Sequence, residues 1–206
     1  QFKKAVKKYL SEIRFDLILY STPPITFANV VRYLKKQSPA SVSYLLLKDI
    51  FPQNAVDIGL FSKRSLFYWH FRRKEKALYK ISDYIGCMSP ANVDFIKRYN
   101  SFYPSDRIEV APNSIELIEN LEHVDKNKIR EQYGLPVDVP IFIYGGNLGK
   151  PQGINYLIQC LEDNLERKDC FFLIVGGGTE YGKLQEWYKN HAGKNVKLMA
   201  GLPKKV

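Results

Sequence analysis

The chain has 206 residues, of which 25% are charged and 45% hydrophobic, and carries a formal net charge of +10. That length suits one sizeable domain or two small ones, each able to bury a core. The composition excludes disordered, fibrous and collagen-like chains, and no apolar run approaches the ~18 residues that a transmembrane helix needs.

The predicted elements alternate along the chain. An amphipathic helix is already under way from Phe2 to Leu10, and Leu17–Tyr20 reads as a buried strand. A helix over Phe27–Lys36, a strand over Val42–Leu47 and a long helix over Ser65–Ile81 follow. Tyr84–Met88 reads as a strand, Ala91–Tyr99 as a helix and Ile108–Ala111 as a strand ending at Pro112. A polar, acidic segment runs from Asn113 to Asp125. The pattern then restarts with a short helix over Lys128–Tyr133, ended by Gly134. Strands at Ile141–Tyr144, Phe171–Val175 and Val196–Met199 alternate with helices at Ile154–Leu165 and Lys183–His191. Short apolar strands alternating with helices imply two parallel sheets covered by helices on both faces. The expected division is 1–112, a linker at 113–127, and 128–206. Both ends read as cuts through folded structure, so the chain is expected to be an internal fragment of a longer protein.

Charge follows the same division. Residues 1–112 carry 19 Lys/Arg against 9 Asp/Glu, whereas residues 113–206 carry 12 of each. A one-sided basic charge points to an anionic surface, membrane or nucleic acid, or else to a solvated basic face. Cys87, Cys160 and Cys170 have no C-x-x-C spacing and lie in or beside apolar runs, as buried reduced thiols do in the cytosol. His70, His123 and His191 are scattered and form no metal-ligand set, so no metal is expected.

The glycine-rich turns of the second half carry the chemistry. The strand Ile141–Tyr144 runs into Gly145-Gly146-Asn147-Leu148-Gly149-Lys150-Pro151-Gln152-Gly153, and a helix follows. Strand, glycine loop and helix N-terminus together suit a phosphate, because free backbone N–H groups and the helix dipole face the loop. Lys150 is followed by Pro151, so this is not a Walker A loop. Asn147 and Lys150 break the G-x-G-x-x-G spacing of a dinucleotide site. A tight turn with no ligand is the bland alternative. Gly176-Gly177-Gly178 follows the next strand, and ligands of open α/β sheets bind at the carboxyl ends of strands.

In this order the motifs resemble retaining family-4 glycosyltransferases of GT-B fold, specifically bacterial enzymes of surface-polysaccharide and lipid-linked oligosaccharide synthesis. The stretches that carry the resemblance are Asp16–Pro24 with its Pro-Pro loop, Lys48-Asp49-Ile50-Phe51-Pro52, Ala111-Pro112-Asn113-Ser114-Ile115 and Tyr144–Gly149 with Gln152-Gly153. Ser114 stands where the family usually has glycine. The resemblance implies two Rossmann-like half-domains, both incomplete: the later part of an acceptor-side domain and the earlier part of a donor-binding domain. It implies transfer from a nucleotide-diphosphate sugar to a lipid-linked saccharide, in capsule or lipopolysaccharide synthesis, by a cytoplasmic enzyme peripheral on the inner face of the cell membrane. The fragment alone is expected to be inactive. Gly145, Gly146 and Gly149 then bring backbone N–H groups to the diphosphate, Asn147, Lys150, Gln152 and Gly153 belong to the same donor-binding loop, and Gly176, Gly177 and Gly178 lie near base or ribose. Lys150 neutralises the leaving charge. Asn147 and Gln152 occupy the places of the cationic pair found in many relatives. Asp49 orients or deprotonates the acceptor hydroxyl, its alternative role being a helix cap. Ser21 and Thr22 line the acceptor side, or simply belong to a Pro-Pro turn. No cofactor is implied; the nucleotide sugar is a substrate.

The stretch from Lys63 to Lys76 interleaves cations with Phe67, Tyr68, Trp69 and Phe71. Lys63, Arg64, Trp69, Arg72, Arg73 and Lys74 are the expected membrane contacts, suited to anionic headgroups. The competing readings are nucleic acid, with stacked bases, and a helix whose rings pack inward. Two other classes remain beside the transferase: a Rossmann enzyme that modifies sugar nucleotides with a dinucleotide, and a non-enzymatic nucleic-acid-binding module. The failed dinucleotide spacing counts against the first, and the absence of a recognised binding motif against the second.

Overall fold

A computed structural model describes residues 2–116 and 125–202. The central part of the expected linker, including His123, lies outside the described residues. The chain divides into two compact units, Gln1–Leu117 and Ile118–Val206.

The first unit runs α1 (Phe2–Tyr9), β1 (Leu17–Ser21), α2 (Ala28–Gln37), β2 (Val42–Leu47), α3 (Gln53–Asp57), α4 (Leu66–Ile81), β3 (Tyr84–Cys87), α5 (Pro90–Tyr99) and β4 (Ile108–Val110). Its four strands are parallel in the order β1-β2-β3-β4. Sequential order means that every crossover steps the same way, and right-handed crossovers then put their helices on one face. Leu45 and Leu47 of β2, Ile85 and Cys87 of β3 and Ile108 of β4 meet Ala28 of α2, Leu78 and Tyr79 of α4, and Val93 and Ile96 of α5 in a single core. Leu17, Leu19, Val42 and Tyr84 point the other way and are exposed. Helices on both faces were expected; among the described residues of this unit they gather on one. The open face holds one tight contact, where Tyr44 crosses Gly86 to donate to Glu109 at 2.7 Å.

The second unit runs α6 (Lys126–Gln132), β5 (Ile141–Asn147), α7 (Ile154–Glu162), β6 (Phe171–Gly177), α8 (Tyr181–Lys189) and β7 (Val196–Ala200). Its parallel order is β5-β6-β7. The core is Leu148, Ile154 and Leu161 with Ile174, Leu184 and Val196, so α7 and α8 cover one face. Lys197 points to the opposite face and donates to the Tyr133 carbonyl at the end of α6. Gly134 there has φ +57, a conformation that glycine adopts without strain.

Helix starts follow local chemistry. Ser65 accepts from the Tyr68 amide to cap α4, Ser89 caps α5 ahead of Pro90, and Asp125 accepts from the Asn127 and Lys128 amides to cap α6. β5 and β6 each run into their glycines, because Gly145-Gly146-Asn147 pair in register with Val175-Gly176-Gly177. Apolar periodicity stops at Tyr144 and Val175, but backbone pairing does not. The five-residue α3 is too short to show a period.

Two polar networks fix α4. Arg72 pairs with Glu75 and donates to the Tyr99 carbonyl (2.8 Å) and the Asn100 side chain (2.7 Å). Glu75, only 3% exposed, also accepts from Tyr79 at 2.7 Å. Burial pushes the Glu75 carboxyl up, opposed by Arg72 and by the Tyr79 bond. At the other end of α4, Asp83 binds Lys35 and accepts from both the amide and the hydroxyl of Ser43 at 2.8 Å. Burial alone raises the Asp83 carboxyl, but these donors outweigh it and hold it below the ordinary 3.8. No helix among the described residues is long and apolar enough to cross a membrane.

Removing one partner of a buried pair leaves the other charge uncompensated. Arg72→Met should therefore lose about 3–5 kcal/mol of unfolding free energy, measured by urea denaturation. The Asp83 carboxyl is held below its unfolded value, so its contribution is full above pH ~3.8 and disappears as pH falls through its folded pKa. Asp83→Asn should therefore be less stable than the parent at neutral pH. The gap should close on acidification, as followed by thermal melts across a pH series.

Candidate functional site

In the second unit the glycine loop is held from beneath. Leu148 buries its side chain in the core, donates its amide to the Gly177 carbonyl at 2.9 Å and accepts from the Glu180 amide at 2.9 Å. A Cβ on Gly176 would lie 2.0 Å from the Gly146 carbonyl oxygen, and one on Gly178 would lie 2.5 Å from that of Leu148. These two glycines let backbone pack on backbone. Gly145 and Gly177 have open space where a Cβ would stand, and both are exposed.

The polar side chains of the loop serve one another. Gln152 Oε1 accepts from the Gly149 amide (3.2 Å) and from Asn147 Nδ2 (3.3 Å). Asn147 and Gln152 thus form a neutral amide staple across the loop. Lys150 opens a short 3-10 turn, Lys150–Gln152, and is exposed. Gly153 then turns left-handed (φ +64) and α7 starts without a side-chain cap, leaving first-turn N–H groups available to an anion. The sequence reading missed Lys183, in the first turn of α8, which donates to Asn155 in the first turn of α7. Its only sequence signal is its position after the second glycine cluster. Lys150, Lys183 and an uncapped helix start suit a phosphate or diphosphate.

In the first unit the predicted residues lie at carboxyl ends of strands. Ser21 ends β1 and is half-buried. Thr22 is only 2% exposed, and its hydroxyl donates to the Asp49 carbonyl (3.1 Å) and accepts from the Asp49 amide (3.2 Å). Thr22 is therefore a tie between two loops, not a lining residue. Asp49 is exposed just past β2, and it does not cap α3, which follows Pro52 with no side-chain cap. The segment after Asp49 is clamped by rings: Phe51 lies 5.0 Å from Phe71 and 6.3 Å from Phe61.

Helix α4 sorts the basic aromatic stretch. Phe71 packs inward and Tyr68 is half-buried, while Phe67 and Trp69 point outward. Lys63, Arg64, Arg73 and Lys74 are exposed. Arg72, grouped with them in the sequence, turns inward to Glu75 and Asn100 and is no surface cation. Cys87 is buried in the core, which pushes its thiol up to about 11. Cys170 is also buried and Cys160 half-buried.

A parallel α/β unit whose strands end in a glycine cradle beside an uncapped helix has the geometry that suits a phosphate-bearing ligand. Residues 125–206 match the family model described as glycosyl transferases group 1. One curated relative is "Putative colanic acid biosynthesis glycosyl transferase WcaI" of Escherichia coli (strain K12), 32% identical over 90 residues, 42% of this chain and 22% of that protein. Among solved structures, Anabaena Alr3699/HepE in complex with UDP and glucose superposes with a TM-score of 0.70 at 16% identity, covering 98% of this chain and 51% of that one. WaaG, a glycosyltransferase involved in lipopolysaccharide biosynthesis, gives a TM-score of 0.59 at 17% identity, covering 87% of this chain and 53% of that one. The α/β fold thus matches GT-B glycosyltransferase structures. The chain spans about half the length of these solved structures and 22% of the curated relative.

Two classes of glycine should separate on substitution. Gly176→Ala clashes with backbone and should lower the melting temperature of the second unit. Gly145→Ala and Gly177→Ala meet nothing within 4 Å and should leave melting unchanged within about 1 kcal/mol. Calorimetric melts of the three variants check this.

Proposed function

We propose that the chain is part of a retaining glycosyltransferase, combining an acceptor-side segment with the nucleotide-sugar side of the donor domain. The enzyme transfers a sugar from a nucleotide-diphosphate sugar to a lipid-linked saccharide in bacterial surface-polysaccharide synthesis, at the cytoplasmic face of the cell membrane. The observation that carries this reading is the coincidence of the family match over 125–206 with the glycine cradle at the ends of β5 and β6. The named relatives of polysaccharide and lipopolysaccharide synthesis support the acceptor class. The uncovered apolar face of the first sheet supports the fragment reading, since such a face is ordinarily buried.

In the proposed reaction the bond between the sugar anomeric carbon and the β-phosphate oxygen breaks. A bond from that carbon to an acceptor hydroxyl oxygen forms on the same face. Negative charge gathers on the leaving diphosphate, where the α7 N-terminus, Lys150 and Lys183 stabilise it without a metal ion. Asp49 orients the acceptor hydroxyl and receives its proton. Asn147 and Gln152 keep the loop in shape and contribute no charge.

Thermal shift of the 206-residue chain with a panel of nucleotides tests the reading. A UDP- or GDP-sugar at 100 times its Kd should add about 2.7 kcal/mol of stability. Lys150→Ala should weaken that binding, and EDTA should leave it unchanged. Stabilisation by NAD or by an oligonucleotide alone would overturn it.

A further inference from the structure

The first turn of α4 and the loop before it leave large apolar side chains in solvent: Leu60 is 59% exposed, Leu66 87%, Phe67 68% and Trp69 63%. The cations Lys63, Arg64, Arg73 and Lys74 flank them in sequence and are exposed. Farther along, Lys76 and Lys80 stand over the Phe102 ring at 5.7 and 5.5 Å, and the outer face holds no exposed apolar side chain after Trp69. The inner face is spent, because Glu75, Leu78 and Tyr79 are buried against the sheet and α5.

An amphipathic helix that lies flat in a membrane interface needs an apolar face along its whole length. Helix α4 has already given that face to its own core. Its free apolar surface is confined to one end, with Lys63 and Arg64 just before the helix and Arg73 and Lys74 one turn past Trp69. We propose that the first unit docks on an anionic lipid bilayer with the N-terminal tip of α4 first. Leu60, Leu66, Phe67 and Trp69 enter the interface while Lys63, Arg64, Arg73 and Lys74 remain at headgroup level. Single-stranded nucleic acid uses rings and cations too, but gives no use to the exposed aliphatic Leu60 and Leu66. The docking deepens the lipid-linked acceptor reading and rests on it for its purpose. It is measured on a different unit from nucleotide-sugar binding, so either can fail alone.

The chain has two tryptophans, so Trp187→Phe leaves Trp69 as the sole reporter. With vesicles of equimolar phosphatidylcholine and phosphatidylglycerol, its emission should shift to the blue and be quenched by lipids brominated near the carbonyl end of the acyl chain. Pure phosphatidylcholine should bind weakly. In the parent background, cosedimentation should fall at least about tenfold for Leu66→Ser with Phe67→Ser and about fivefold for each of Arg73→Gln and Lys74→Gln. These exposed sites can change without touching the core. Binding that ignores the serine pair, or an unquenched Trp69 on bound vesicles, would overturn tip-first insertion. Preference for an oligonucleotide over the vesicles would overturn the bilayer as partner.

Discussion

A parallel pair of strands cannot be joined by a tight turn; the chain must cross back over the sheet before it can start the next strand. In both units every strand obeys this constraint, and the strand order simply counts upward. All carboxyl ends in a sheet therefore share one edge, and the loops that leave them are neighbours however far apart they lie in sequence. Thr22 can hold Asp49 across 27 residues because the ends of β1 and β2 are adjacent. Gly176 can lie under Gly146 because β6 pairs with β5 through to its last residue. Within each unit, topology thus brings that unit's candidate residues together, and local chemistry only refines them.

The glycine loop shows how a flexible composition yields a rigid cradle. Gly176 and Gly178 contribute by having no side chain, which lets two backbones touch. Leu148 then locks the loop by burying its side chain and bonding through both its amide and its carbonyl. The staple between Asn147 and Gln152 finishes the shape. A loop held this way presents its exposed groups without first having to be ordered, so a ligand gives up little binding free energy to organise its own site.

Much of this was legible in the residues. Apolar runs such as Val42–Leu47 coincide with strands because alternate residues enter the core while most of the others are apolar as well. Ser65, Ser89 and Asp125 mark helix starts through caps that act within three residues. What escaped was decided by partners distant in sequence. Glu75 marks Arg72 only as one side of a helix-face pair; it is Tyr99 and Asn100, 27 and 28 residues on, that hold Arg72 inward while Arg73 faces water. Nothing local says that the Thr22 hydroxyl is already occupied, or that Gly177 is open while Gly176 and Gly178 are filled by backbone. The ends of β5 and β6 escaped because glycine and asparagine carry little strand propensity, and register alone holds them in the ladder.

The inward turn of Arg72 has an electrical consequence. Pairing with Glu75 cancels a cation of α4 inside the fold, and Arg73, Lys74, Lys76 and Lys80 all remain on its outer side. The helix thus behaves as a rod charged along one flank and apolar at one end. In the field of an anionic surface such an uneven distribution feels a torque before it feels contact. The unit would arrive already turned, with alignment set within a Debye length of about 8 Å at physiological salt. A single buried ion pair, by removing one charge from the surface, sharpens the direction in which all the others point.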